Sequence, residues 1–155
     1  MKILFQKHRE GTEWLQCHRS DGSVLREQVQ VGSAYHDLAH LVVERRLGIR
    51  EGIWGKIAEG YGLAEYNLPN EEREFAITAD GYRAEFLATL VQSAVGTGSI
   101  SQEYLDLLRT ASAANAIPFP DLPDHAVMQE MVEEATRLTQ QWAAVPLGGE
   151  MELEF

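Results

Sequence analysis

The spacing of apolar residues changes period at Gly32-Ser33, and this change limits the fold more than any other feature of the 155-residue chain. Before it lie three short runs, Lys2–His8, Glu13–Arg19 and Ser23–Val31, separated by Arg9-Glu10-Gly11 and Ser20-Asp21-Gly22. Asp and Gly tolerate the positive φ of a tight hairpin, so the second break reads as a turn between strands. In the third run Leu25, Val29 and Val31 share one parity, and Arg26, Gln28 and Gln30 share the other, as on a half-buried strand. Residues 1–31 are therefore predicted to form an antiparallel β-meander.

After Gly32 the spacing is helical. Ser33 reads as the N-cap of a helix from Ala34 through Leu47, with Gly48 as its C-terminal cap and Arg45 and Arg46 in the last turn, where the helix dipole favours cations. Glu51–Gly60 fits one or two further turns, and Tyr61–Asn70 reads as a linker. Residues 71–95 are predicted helical, as one helix or as two divided at the weak point Asp80-Gly81, with a later apolar face of Phe86, Leu87, Leu90, Val91, Ala94 and Val95. Two more helices are predicted over 101–114 and 124–144, joined by the proline-set connector Ile117–Pro123. The tail Glu150–Phe155 alternates at period two, which fits an edge strand or a loose acidic end. The expected architecture is α+β in one domain: a small antiparallel meander (1–31), a layer of four to six helices (33–144), and a tail (145–155) able to add an edge strand.

Composition narrows the function. With 13 Lys+Arg against 24 Asp+Glu, the formal charge is −11. That sign argues against nucleic acid, whose phosphates need Lys and Arg in excess, and against anionic membrane surfaces. The charge is also uneven: residues 1–50 carry eight bases and six acids, so the acidity belongs to the helical part. One cysteine, Cys17, excludes an internal disulfide and a thiolate-rich zinc site, and on a strand it reads as a small core hydrophobe. MKILFQKHREG has too short an apolar run for a secretory leader, and no stretch approaches a membrane span, so the expected location is cytoplasmic.

The chemical lead is His36-Asp37-Leu38-Ala39-His40, continued by Leu-Val-Val-Glu44. Two His at i and i+4 project from one helical face and can reach one metal ion. At 100° per residue, His36, His40, Glu44 and Asp37 form a stripe beside a broad apolar surface. Such a stripe can line a cleft, or it can be the solvated face of an ordinary amphipathic helix. Glu44 lies about 12 Å along the axis from His36, too far to share its ion, but one turn past His40 it can orient that imidazole. A third ligand must come from elsewhere. Glu85 is a candidate, although the assigned apolar face of its helix points it nearly the opposite way. His125 with Asp124 is another, whereas His8 and His18 read as plain histidines of the sheet.

The pattern is similar to the HExxH motif of zinc metallopeptidases, a zincin-like spacing, but Asp37 stands where those enzymes have a Glu general base. Asp is one methylene shorter, so the likeness supports metal binding more than peptidase chemistry. His36-Asp37 also invites comparison with HD-domain phosphohydrolases, but those folds are helical throughout, whereas strands are predicted here upstream of the motif. The longer run HDLAHLVVERRLGIREGIWGKIAEG resembles a segment of uncharacterised bacterial proteins, in which an HDxxHxxVE helix leads into GxWG. The matching residues are His36, Asp37, His40, Val43, Glu44, Gly52, Trp54 and Gly55. That resemblance implies no reaction. Trp54, between two glycines, reads as a packing anchor.

Two functional expectations follow. In the first, His36, His40 and Glu85 bind zinc or another divalent metal, and Asp37 and Glu44 act as proton-handling or orienting carboxylates of a hydrolase-like site. In the second, the chain is a non-catalytic module whose acidic helical layer, with Glu130, Glu133 and Glu134, meets a basic partner or drives self-association.

Overall fold

The structure is a computed structural model describing residues 1–69, 71–114 and 117–155, with the backbone alone at Asn67. The three predicted strands form as β1 (Lys2–Lys7), β2 (Glu13–His18) and β3 (Val24–Val29). The tail does add a strand, β4 (Glu150–Glu154), and all four pair antiparallel in the order β3-β2-β1-β4. Register follows the alternation: Phe5 lies opposite both Leu15 and Met151, and Ile3 opposite Cys17. All five are buried on the helix-facing side of the sheet. Val31 falls past the end of β3 and is exposed, so the third run is shorter than its alternation suggests.

Five α-helices follow among the described residues: α1 (Ala34–Leu47), α2 (Ile53–Glu59), α3 (Ala79–Ala94), α4 (Gln102–Ala114) and α5 (His125–Ala144). The fold is α+β. α1 packs against α2, α3 and α5, which explains why its apolar residues spread around so much of its girth. Gly48 takes the left-handed conformation (φ +65°) and its amide closes the helix on the Glu44 carbonyl. Phe5 meets Trp54 and Trp142 with ring centroids 5.9 Å apart in each case, joining the sheet to α2 and α5.

Four expectations change. Ser33 is not a cap: its backbone is already helical, and its buried Oγ has no partner among the described residues. The stretch Tyr61–Asn70 contains a 3-10 segment, Leu63–Asn67, and the last residue assigned to that linker, Asn70, lies outside the described residues. Residues 71–78 are not helical: α3 starts after Thr78, whose side chain accepts the Gly81 amide. Asp80-Gly81 is thus the first turn of a helix rather than a break in one. A side chain at Gly81 would sit 2.9 Å from the Glu51 carbonyl, so glycine permits close approach there.

The fourth change matters most for the site. The packed side of α3 is Gly81, Ala84, Leu87, Ala88, Leu90, Val91 and Ala94, in which the small residues let α1 come close. Phe86 is only half-buried and meets Phe119 edge-on, ring centroids 5.1 Å apart. Leu87, Leu90, Val91 and Ala94 of the expected face are buried, but Gly81, Ala84 and Ala88 widen it, so Glu85 borders the α1–α3 contact instead of opposing it. α4 is more loosely seated: Ser112 is its one buried residue, and Leu107 is exposed.

Candidate metal centre

His36 and His40 stand one turn apart on α1, with ring centroids 4.7 Å apart and planes at 81°. Glu85, reaching across from α3, meets both. One carboxylate oxygen lies 3.3 Å from His36 Nε2 and the other 3.1 Å from His40 Nε2. One ligand atom from each of the three residues falls within a 4.8 Å span, so the group could hold a metal ion.

The other nitrogen of each ring is committed to a neighbour. His40 Nδ1 lies 3.2 Å from Glu44 Oε1, and His36 Nδ1 lies 2.9 Å from Gln92 Oε1. Both partners can accept from Nδ1, and each Nε2 faces Glu85. With Nδ1 protonated and Nε2 free, this is the arrangement in which imidazole ligates a metal, with its orientation held from behind. Gln92 is two turns beyond Glu85 on the same stripe of α3, so one helix supplies a ligand for both rings and the brace for one of them.

Glu44 is itself tightly held. Its side chain is fully buried, and Oε2 accepts the backbone amides of Trp54 and Gly55 at 3.1 Å each. Each glycine flanking Trp54 permits a close contact at this corner. A β-carbon at Gly52 would collide with the Glu44 carboxylate, and one at Gly55 would collide with the Arg50 carbonyl. Trp54 in turn donates its indole N–H to the Asp37 carbonyl at 2.9 Å. The GxWG segment therefore locks the α1–α2 corner and positions the carboxylate behind His40.

The charges follow from these contacts. Burial pulls the His40 pKa down, but the hydrogen bonds with Glu44 and Glu85 outweigh it and raise it to about 9. His36 is raised as well, chiefly by Glu85. The two imidazoles, His36 first, hold Glu85 well below the usual carboxylate range. Without metal, the centre is a carboxylate bridging two imidazoles that favour their protons.

The remaining candidates lie elsewhere. Asp37 is buried and falls outside the three-residue group; burial raises its pKa to about 6 against the opposing pull of His40 and His36. Asp124 caps α5 by accepting the Val127 amide at 2.9 Å, and His125 is exposed on the next position. His18 pairs with Gln16, and His8 packs on Trp14. Cys17 is buried in the core, with its thiol pushed up to about 12 by that burial. Glu130, Glu133 and Glu134 are engaged by Arg46, Gln129 and Arg137 respectively.

Beside the group lies a cavity of about 200 Å³. His36, His40 and Glu85 line it together with Glu51, Ile53, Tyr66, Phe75, Ile77 and Tyr82. Glu51 pairs with Lys56 at 2.9 Å. Tyr66 is the unusual member: its hydroxyl is buried without a hydrogen-bond partner among the described residues, and burial first, then Glu44 and Glu85, raises its pKa. Gln92, Glu51 and Tyr66 carried no signal in the sequence, because each joins the site through packing between distant segments. Compared with family models, with curated proteins and with solved structures, the chain matches none of them.

Proposed function

We propose that the protein binds one divalent metal ion through His36 Nε2, His40 Nε2 and the Glu85 carboxylate, and that it is a zinc-dependent enzyme of the hydrolase type. The observation that carries this reading is the paired bracing of the two rings. A solvated amphipathic face has no need of a fully buried carboxylate and an amide holding both Nδ1 atoms so that both Nε2 atoms converge on a third donor. Two imidazoles and one carboxylate form a zinc donor set with an open coordination position, and they are also the set of non-haem iron(II) sites. A bound ion would supply Lewis acidity, polarising a substrate oxygen or acidifying a water.

The chain's own residues divide the remaining work. Glu44 and Gln92 hold the rings, and Glu44 does so as an orienting group rather than one that meets substrate. Glu51 is a carboxylate of the cavity outside the ligand group, held by Lys56. Asp37, expected to handle protons, lies away from this cavity and fits that role less well.

Metal analysis of the purified chain after reconstitution tests the reading. One zinc per chain is expected, falling below one tenth of that in His40→Ala and in Glu85→Ala. Full retention of metal by both variants would remove the proposal, and preferential uptake of iron(II) would move it to oxidative chemistry.

A further inference from the structure

The cavity beside the three candidate ligands has a chemical character of its own. Its far wall is Ile53, Phe75, Ile77 and the rings of Tyr66 and Tyr82, and no Lys or Arg lines it. Lys56, whose ammonium lies 5.6 Å from the Phe75 ring centroid, is tied to Glu51 and Glu59 at 2.9 Å each, and Arg73 donates to the Tyr66 and Leu68 carbonyls. Beyond the bound ion and the two imidazoles, a phosphate or a dicarboxylate would find no guanidinium or ammonium in the lining to offset repulsion from Glu51 and Glu85. The volume of about 200 Å³ compares with an apolar cavity of about 150 Å³ that accommodates benzene. Space, charge and wall chemistry all favour one ring-sized apolar group.

Tyr66 adds a polar selector. A buried hydroxyl without a partner is costly in a folded chain, and this one belongs to a cavity-lining residue beside the ligand group. An acceptor oxygen on a bound molecule is a partner that the described residues do not supply.

Resting on the metal reading above, we propose that this cavity takes a small uncharged molecule carrying a ring-sized apolar group next to a metal-binding oxygen, such as an aryl or branched-alkyl amide or ester, with the Tyr66 hydroxyl donating to that molecule. Tyr66 is a ligand-positioning residue in this scheme, and the class excludes phosphate esters.

The test uses the full chain loaded with cobalt(II), whose visible absorption reports on its coordination. Three probes separate head group from ring: benzohydroxamic acid, acetohydroxamic acid with the same head and no ring, and phenylphosphonic acid with the same ring and an anionic head. Benzohydroxamic acid is expected to bind at least tenfold more tightly than acetohydroxamic acid, and phenylphosphonic acid to leave the spectrum unchanged at the same concentration. Tyr66→Phe should weaken benzohydroxamic acid about three- to tenfold while leaving cobalt affinity and chain stability undiminished. Ile77→Arg, which puts a cation into the half-buried wall, should raise phenylphosphonic acid affinity at least tenfold, with circular dichroism confirming the fold.

Equal affinities for the two hydroxamic acids, or phosphonate binding as tight as hydroxamate by the unaltered chain, would overturn the ligand class while leaving the metal centre standing. Unchanged benzohydroxamic acid affinity in Tyr66→Phe would overturn the role of that hydroxyl. Failure of the chain to take up one cobalt would overturn the metal reading and this proposal with it.

Discussion

Glu44 has both carboxylate oxygens engaged, one toward His40 Nδ1 and the other toward two backbone amides of the α2 start. Replacing it by Gln keeps the shape but turns one acceptor into a donor facing other donors. Glu44→Gln should therefore lose about 2–4 kcal/mol in urea denaturation and bind zinc about 10–100-fold more weakly in a competition titration. Asp37 gives a prediction of opposite sign. Its folded pKa, raised by burial from 3.8 to about 6, means that the native state holds a proton the unfolded chain has released. Stability from this group is present below about pH 4 and lost as pH rises to about 6, so Asp37→Asn should gain about 1–3 kcal/mol at pH 7 and gain nothing at pH 3.5. The i, i+4 pair and Glu44 were legible in the sequence because helical geometry alone sets their spacing. Glu85 was named but wrongly oriented, since its direction depends on which side of α3 packs. Gln92 and Tyr66 were invisible, because their contacts cross between segments far apart in the chain.

At the level of elements, caps separate what the sequence shows from what packing decides. Thr78 and Asp124 accept amide protons at the starts of α3 and α5, whereas Ser33, with equal claim as a residue type, accepts none. Thermal or urea unfolding should show Thr78→Ala and Asp124→Ala each losing about 1 kcal/mol. Ser33→Ala should lose nothing, since it removes a buried hydroxyl without a partner among the described residues. Ser33 fails as a cap because the turn that starts at Gln30 carries its backbone into the helical region first. The strands, the Gly48 stop and the α5 boundaries were readable from local chemistry. The α3 start was not, because Gly81 resembles a helix breaker until the Glu51 carbonyl is seen beside it.

Across the whole molecule, metal binding and pH are linked through the two imidazoles. His40 has a folded pKa of about 9 against an ordinary 6.5, so its contribution is complete below pH 6.5 and lost as pH rises through 9. His36 shifts in the same direction. The metal-free chain should thus lose stability between pH 6.5 and 9. Zinc at about 100 times its dissociation constant should add about 2.7 kcal/mol, seen as a raised Tm at pH 8 that is absent in His40→Ala. Sheet order has a separate consequence, for synthesis. β1 is made first, yet one of its two partners, β4, is made after all five helices. Until residues 150–154 emerge, the growing chain carries an open edge on β1, whose Ile3, Leu4 and Phe5 are buried in the finished fold, a template for pairing with other nascent chains. The strand that closes this edge replaces it with a row of exposed glutamates, Glu150, Glu152 and Glu154, so the finished sheet presents charge where the unfinished one presents a docking site for aggregation.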